Sequence, residues 1–287
     1  MSKVLIIGGG HAGANTAYAL RKDGFDGEIK IVCDEGHLPY HRPPLSKDFL
    51  KQKIEKEKLF FKSTDFYKDQ NISIELNTFI DSIDIDSNTA NANECLIDFD
   101  YLVFATGASP RKLMMENADA NNLFYLRQIS DVLIMHKEIS SSKNIVLIGG
   151  GYIGLEVASA MIELGLNVTV LEAEERILKR VTSPEVSKFY DDFHTEKGVK
   201  IICNAKVSAL QADDQKIHTI SLESGDSIPT DMVLVGIGAI PNTKLAESIG
   251  LECDNGIKTD QYCRTLKPNI LAIGDCAKSF NTLLNKD

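Results

Sequence analysis

Apolar and polar positions along the chain repeat one pattern twice. Val4-Leu5-Ile6-Ile7 and Ile145-Val146-Leu147-Ile148 are short, wholly apolar runs. A strand exposed on one face alternates, so an unbroken run predicts a strand buried on both faces, as in a parallel sheet. Each run stops at three glycines. Each is then followed by a proline-free stretch, 12–20 and 155–164, rich in helix formers, which predicts a helix. A second apolar strand is predicted after each helix, over 28–33 and 167–171. Two later runs, Tyr101-Leu102-Val103-Phe104 and Met232-Val233-Leu234-Val235, close in small residues and also read as buried strands.

Strand, glycine turn, helix and strand in that order make the unit of a dinucleotide-binding fold. Gly8, Gly10 and Gly13, and again Gly149, Gly151 and Gly154, stand where the first glycine permits a tight turn. The second lets the backbone approach a pyrophosphate, and the third lets helix pack on strand. Both second strands run into acid, Asp34 and Glu172, where a carboxylate can accept the hydroxyls of an adenosine ribose. Two dinucleotides are therefore expected. Glu172 favours the free 2′-hydroxyl of NADH, because a 2′-phosphate calls for Arg or Lys there. Arg176 lies close by, but Glu172, Glu174 and Glu175 around it suggest an ion-paired surface side chain.

Between the repeats, residues 72–97 alternate at period two, as a half-exposed antiparallel meander would. Ser183-Pro184-Glu185 offers an N-cap, a proline at the first helical position and an acid in the first turn. Val186, Phe189, Tyr190 and Phe193 follow at helical spacing and are expected in the core.

Composition narrows the function classes. The chain has 287 residues, 43% hydrophobic and 25% charged, a balance that supports a buried core and argues against disorder. Uncharged stretches such as 232–243 stop short of the roughly 20 residues a membrane helix needs. The net charge of −10 leaves no basic field for nucleic acid. Six cysteines are spread singly, without metal-ligand spacing, which suggests reduced thiols in a cytoplasmic setting. No targeting signal is visible, since the first apolar run is a strand.

Further segments carry a family resemblance: Leu38 to Lys47 (LPYHRPPLSK), Ala105-Thr106-Gly107, Tyr125-Leu126-Arg127, Gly236 to Asn242 (GIGAIPN) and Ile273 to Ala277 (IGDCA). With the two glycine turns they resemble the NADH-dependent, FAD-containing ferredoxin reductases of oxygenase and cytochrome P450 systems, within the pyridine nucleotide-disulfide oxidoreductase superfamily. The resemblance runs the length of the chain. It implies an α/β architecture of two Rossmann-like domains: an FAD domain of residues 1–112 and 242–287, with an NADH domain of 113–241 inserted in it.

It also implies residue roles. With Gly8, Gly10 and Gly13, Ala12 would face the FAD pyrophosphate, Asp34 the adenosine ribose, and Ile80 the adenine side. Lys47 would lie at the flavin near its reactive face, where a cation stabilises the charge of the reduced ring. Arg127 would lie at the isoalloxazine region, Asp275, beside Gly274, would serve the ribityl and phosphate oxygens, and Arg42, Thr106, Gly107 and Gly274 would be further cofactor-binding positions. Gly149, Gly151, Ile153, Gly154 and Glu172, of the second glycine turn and strand end, would form the NADH site, and Gly238 would also bind cofactor. Glu156, read as lying on the first turn of the second helix, would reach the nicotinamide end or simply complement the helix dipole.

Relatives that pass electrons through thiols carry reactive cysteines after the first repeat, but residues 40–50 here contain none. Flavin electrons would then leave directly: a hydride from NADH to the flavin, and two single-electron steps to an acidic [2Fe–2S] ferredoxin. Residues 46–62 hold six lysines against Asp48, Glu55 and Glu57. They are either a docking surface for that ferredoxin or a helix face laced with ion pairs. The chain stops twelve residues after Asp275, where family members continue into a helix and a third domain. A C-terminal interface domain is therefore expected to be absent. The alternative function is a truncated nucleotide-binding module with no ferredoxin reduction, or only NADH diaphorase or oxidase activity.

Overall fold

The protein is described by a computed structural model covering residues 1–93 and 95–279. Among the described residues its contacts divide into two compact units: residues 1–41, 59–109 and 240–279 form the first, 42–58 and 110–239 the second. The division expected from sequence differs at the crossings by a few residues, and at 42–58, which packs with the second unit.

In the first unit a five-stranded sheet runs in the order Ile270–Ala272, Tyr101–Phe104, Lys3–Ile7, Glu28–Val32, Ile72–Glu75, with every pairing parallel. Val4 and Ile6 face the side that holds Ala17 and Tyr67. Leu5 and Ile7 face the other side, against Ile80, Ile83 and Ala90. Both faces are covered, and this is why the strand is apolar at every position. The covering layer is an antiparallel meander of Ile80–Asp84, Thr89–Ala92 and Cys95–Asp98. The period-two reading of 72–97 is corrected here: Ile72–Glu75 belongs to the parallel sheet, and only 80–98 form the meander. An alternating strand at a sheet edge looks the same in sequence whichever partner it pairs with.

The second unit repeats the plan. Its sheet runs Lys200–Ile202, Asn167–Leu171, Asn144–Ile148, Met232–Val235, Leu123–Phe124, again all parallel. An antiparallel meander, Val207–Asp213, Lys216–Leu222 and Ser227–Pro229, packs Leu210, Ile217 and Ile220 against Val146, Ile148 and Val233. Asp100, just before Tyr101–Phe104, and Asp231, just before Met232–Val235, do the same work. Asp100 accepts the N–H of Lys3 at 2.7 Å, and Asp231 those of Lys143 and Asn144 at 2.9 and 2.8 Å. Partial burial opposes ionisation of Asp231, yet these N–H donors outweigh it and hold its carboxyl below the ordinary range.

Helix Pro184–Glu196 begins as expected, with Ser183 as N-cap, Pro184 at the first position and Glu185 in the first turn. Of its apolar stripe only Tyr190 packs on the core, against the Leu155, Ile177 and Leu178 cluster. Val186, Phe189 and Phe193 are 43%, 64% and 46% exposed, Tyr190 is half-buried, and the buried positions are Ser187 and His194. Helical spacing shows which residues share a face, and not whether that face meets the core.

Candidate functional site

The two glycine turns are built alike. Gly8 and Gly149 adopt φ of +114° and +113°, and a methyl carbon there would sit 2.2 Å from the Ala105 carbonyl oxygen or 2.4 Å from that of Gly236. Only glycine fits either place. Gly13 and Gly154 press on the turn itself: a Cβ would meet the carbonyl oxygens of Gly8 and Gly149 at 2.1 and 2.2 Å. Gly10 and Gly151 differ. They have ordinary negative φ, and nothing lies within 4 Å of an added Cβ. Protein packing therefore does not demand glycine at these two positions, whereas an approaching group would.

Each turn opens a helix, His11–Lys22 and Tyr152–Glu163, with Gly10 or Gly151 as a cap that offers no side-chain acceptor and with no acid in the first turn. The cap side chain therefore takes up none of the first-turn N–H groups in either helix, and the helix dipole favours an anion there. These open, uncapped cradles fit a pyrophosphate. In the first unit Gly274, at φ +71°, lies so close to Ala12 that a Cβ would meet its methyl carbon at 2.8 Å. This brings the exposed Asp275 to the same turn. Asp34 is exposed beyond the end of Glu28–Val32.

In the second unit Glu172 is half-buried. Its Oε2 accepts the Gly150 N–H at 2.7 Å and its Oε1 the Glu174 N–H at 2.9 Å. Two acceptor positions are used, and a carboxylate has lone pairs left for ribose hydroxyls. Ile153, beside this cradle, is 47% exposed, and Gly238 has φ +116° with open space around it. Arg176 departs from the ion-paired expectation. Its Nη2 donates to the carbonyls of Lys179 and Thr182, at 3.2 and 3.1 Å, while Lys179 pairs with Glu174 and Glu175.

The lysine-rich segment leaves the first unit through a neck in which His41 N–H donates to Leu59 O at 2.8 Å and Phe61 N–H to Pro39 O at 2.9 Å. Residues 43–46 form a single 3-10 turn. Pro43 and Pro44 suit its start, where proline's missing N–H would have no partner anyway. Lys47 follows, with its Nζ 2.6 Å from Oε2 of Glu156. Glu156 is the fifth residue of helix Tyr152–Glu163, and that helix has no acid in its first turn. The first-turn placement and the dipole role are thereby corrected. Ser46 Oγ donates to the same Oε2 at 2.6 Å, and Arg42 Nη1 donates to the Arg127 carbonyl at 2.8 Å. Lys51 and Lys53 both reach Glu163, at 3.1 and 2.9 Å. Lys47, Lys51 and Lys53 thus pair with acids of one helix, which favours the ion-pair reading of these three.

Other expected residues have different surroundings. The side chain of Ile80 is 3% exposed within the core, so it offers almost no surface to an adenine. Thr106 is engaged by Asn242: its Oγ1 donates to Asn242 O at 2.7 Å, and Asn242 Nδ2 donates to Thr106 O at 2.8 Å. The Asn242 N–H donates to Gly107 O at 2.9 Å, while Gly107 adopts φ +66°. Sequence reasoning had no role for Asn242. Its signal was its place in the Gly236-to-Asn242 segment, but its partners lie far away in the chain.

A model of the pyridine nucleotide-disulphide oxidoreductase family matches residues 2–285. The chain belongs to this family. Among its relatives, putidaredoxin reductase of Pseudomonas putida is 39% identical over 289 residues, covering 99% of this chain and 68% of the relative. The rubredoxin-NAD(+) reductase of Ectopseudomonas oleovorans is 38% identical, covering 97% of this chain and 72% of its own length. The putidaredoxin reductase–putidaredoxin complex superposes with a TM-score of 0.96 at 38% identity, covering 99% of this chain and 70% of that one. A water-forming NADH oxidase from Lactobacillus brevis, at 22% identity and a TM-score of 0.91, shares the fold.

Proposed function

We propose that the chain is an NADH-dependent flavoprotein reductase that passes electrons through FAD to an iron–sulfur protein, and that this acceptor is an acidic [2Fe–2S] ferredoxin of an oxygenase or cytochrome P450 system. The observation that carries this reading is the pair of uncapped glycine cradles of one geometry, joined to a 42–58 segment that has no cysteine. Two dinucleotides and no thiol relay leave direct transfer from flavin to partner. The names of relatives, among them putidaredoxin, rubredoxin and rhodocoxin reductases, support an iron–sulfur acceptor.

In this reading the first unit holds FAD on Gly8, Gly10, Ala12, Gly13, Asp34, Gly274 and Asp275. The second holds NADH on Gly149, Gly151, Ile153, Gly154 and Glu172. FAD, when bound, accepts a hydride and releases its electrons singly. The residues contribute placement and charge. Helix N-termini face the pyrophosphates, Glu172 turns away a 2′-phosphate, and Lys47 offers a positive charge where negative charge develops. Glu156 keeps that lysine in place. The six cysteines, spread singly along the chain without metal-ligand spacing, support a reducing, cytoplasmic setting. No helix among the described residues is long and apolar enough to cross a membrane.

The test is the visible spectrum of the purified chain with FAD, before and after anaerobic NADH, followed by addition of an oxidised [2Fe–2S] ferredoxin or a rubredoxin. Bleaching by NADH and recovery on adding the ferredoxin are expected. A chain that binds no FAD, or whose flavin NADH does not bleach, refutes the reading. Recovery with rubredoxin alone refutes the ferredoxin assignment.

A further inference from the structure

Ser46 is 6% exposed, one of the few polar side chains buried outright among the described residues. It closes the Pro43–Ser46 turn and directly precedes Lys47. Its hydroxyl has two acceptors within reach, Pro43 O at 3.3 Å and Glu156 Oε2 at 2.6 Å. The shorter bond is the charge-assisted one, and it is the stronger. Lys47 Nζ in turn stands 3.5 Å from Ser46 Oγ and 3.3 Å from Pro43 O. One oxygen of Glu156 therefore gathers two donors that are adjacent in the chain.

The Lys47–Glu156 pair alone is a weak way to hold a charge in place. Its side chains are 45% and 36% exposed, and such pairs contribute little because water screens them and the lysine stem keeps its freedom. Ser46 has a short side chain with one χ angle, set in a turn that two prolines stiffen, so its bond to Glu156 costs little entropy. We propose that Ser46 is a positioning residue: its hydroxyl fixes the Glu156 carboxylate, and through it the Lys47 ammonium, in the place where hydride transfer uses that charge. The inference rests on the role of Lys47 given above.

The test compares wild type with Ser46→Ala and Ser46→Thr. In the full chain without FAD, acylation of each lysine by acetic anhydride is followed by peptide mass spectrometry. Lys51, paired with Glu163 on the same helix, reports whether segment 42–58 still packs. Lys47 should label several-fold faster in Ser46→Ala and at the wild-type rate in Ser46→Thr, while Lys51 is unchanged. With FAD, NADH-driven flavin reduction should slow about tenfold in Ser46→Ala with little change in the NADH concentration for half-maximal rate, and Ser46→Thr should restore it. Unchanged Lys47 labelling in Ser46→Ala overturns the proposal, as does faster labelling with no loss of rate. A Lys47→Met chain that reduces flavin at the wild-type rate overturns the reading of Lys47 instead, and the labelling result still decides whether Ser46 holds the pair. If Lys51 labelling also rises in Ser46→Ala, the hydroxyl is holding the segment as a whole, and the positioning role is refuted.

Discussion

Lys47 Nζ lies 2.6 Å from Glu156 Oε2, although the two residues stand on opposite sides of a hundred-residue stretch of chain. The contact ties the Pro43–Ser46 turn to the helix that opens at the second glycine turn. It gives both residues a defined place that a solvated lysine or a dipole-complementing acid would not need. Replacing Lys47 with Met is expected to slow flavin reduction at least tenfold, about 1.4 kcal/mol of barrier, with a smaller effect from Glu156→Gln. Anaerobic stopped-flow reduction by NADH measures this, and a Lys47→Met rate equal to wild type would show that the charge is not used.

The three glycines of each turn should separate by experiment. Gly8→Ala meets a carbonyl oxygen at 2.2 Å in a left-handed backbone, so it is expected to cost several kcal/mol and to lower soluble yield. Gly10→Ala meets only open space. It should leave the unfolding temperature of the apo chain unchanged and weaken FAD binding tenfold or more. Thermal unfolding and FAD titration on both variants decide the point, and a destabilised Gly10→Ala apo chain contradicts the cradle.

Glu172→Arg should reduce the preference for NADH over NADPH by about 10- to 100-fold, the effect of roughly 1.4–2.8 kcal/mol. The same change removes the acceptor for the Gly150 and Glu174 N–H groups, so a loss of stability of about 1–2 kcal/mol should accompany it. The ratio of kcat/KM for the two nucleotides is the readout, and an unchanged ratio refutes the assignment.

Acid should destabilise the second unit through His194. Burial pushes this imidazole below its ordinary value of 6.5, with Asp191 opposing. The unfolded chain then binds the proton more readily than the folded one, so stability rises with pH through this range and falls as the pH drops below the unfolded value. Between about pH 7.5 and 5.5 the unfolding temperature of wild type should decline more than that of His194→Gln. Parallel profiles would show that His194 does not contribute.

Phe189→Ser and Phe193→Ser should change stability by about 0.5 kcal/mol or less, as at other exposed positions. A buried phenylalanine would lose about 3–5 kcal/mol on truncation. Denaturant unfolding separates the two cases.

Much of this protein was legible in the order of its residues. The duplicated strand–glycine–helix unit, the acids after the second strands and the capped start of helix Pro184–Glu196 depend on neighbours a few positions apart. Local sequence carries such information because backbone conformation, capping and periodicity are decided within a turn or two. The tertiary structure alone decided where a face or a charge would meet its partner. Helical spacing in 186–193 did not reveal that Val186, Phe189 and Phe193 face solvent while Tyr190 packs on the core, and alternation in 72–75 did not reveal a parallel neighbour. Nor did a run of lysines in 46–62 reveal that Glu156 and Glu163 would take three of them. Asn242 found Thr106, and Ser46 found Glu156, across more than a hundred residues. Pairings at that range follow from how the whole chain closes its core, and a linear pattern of residue types does not contain them.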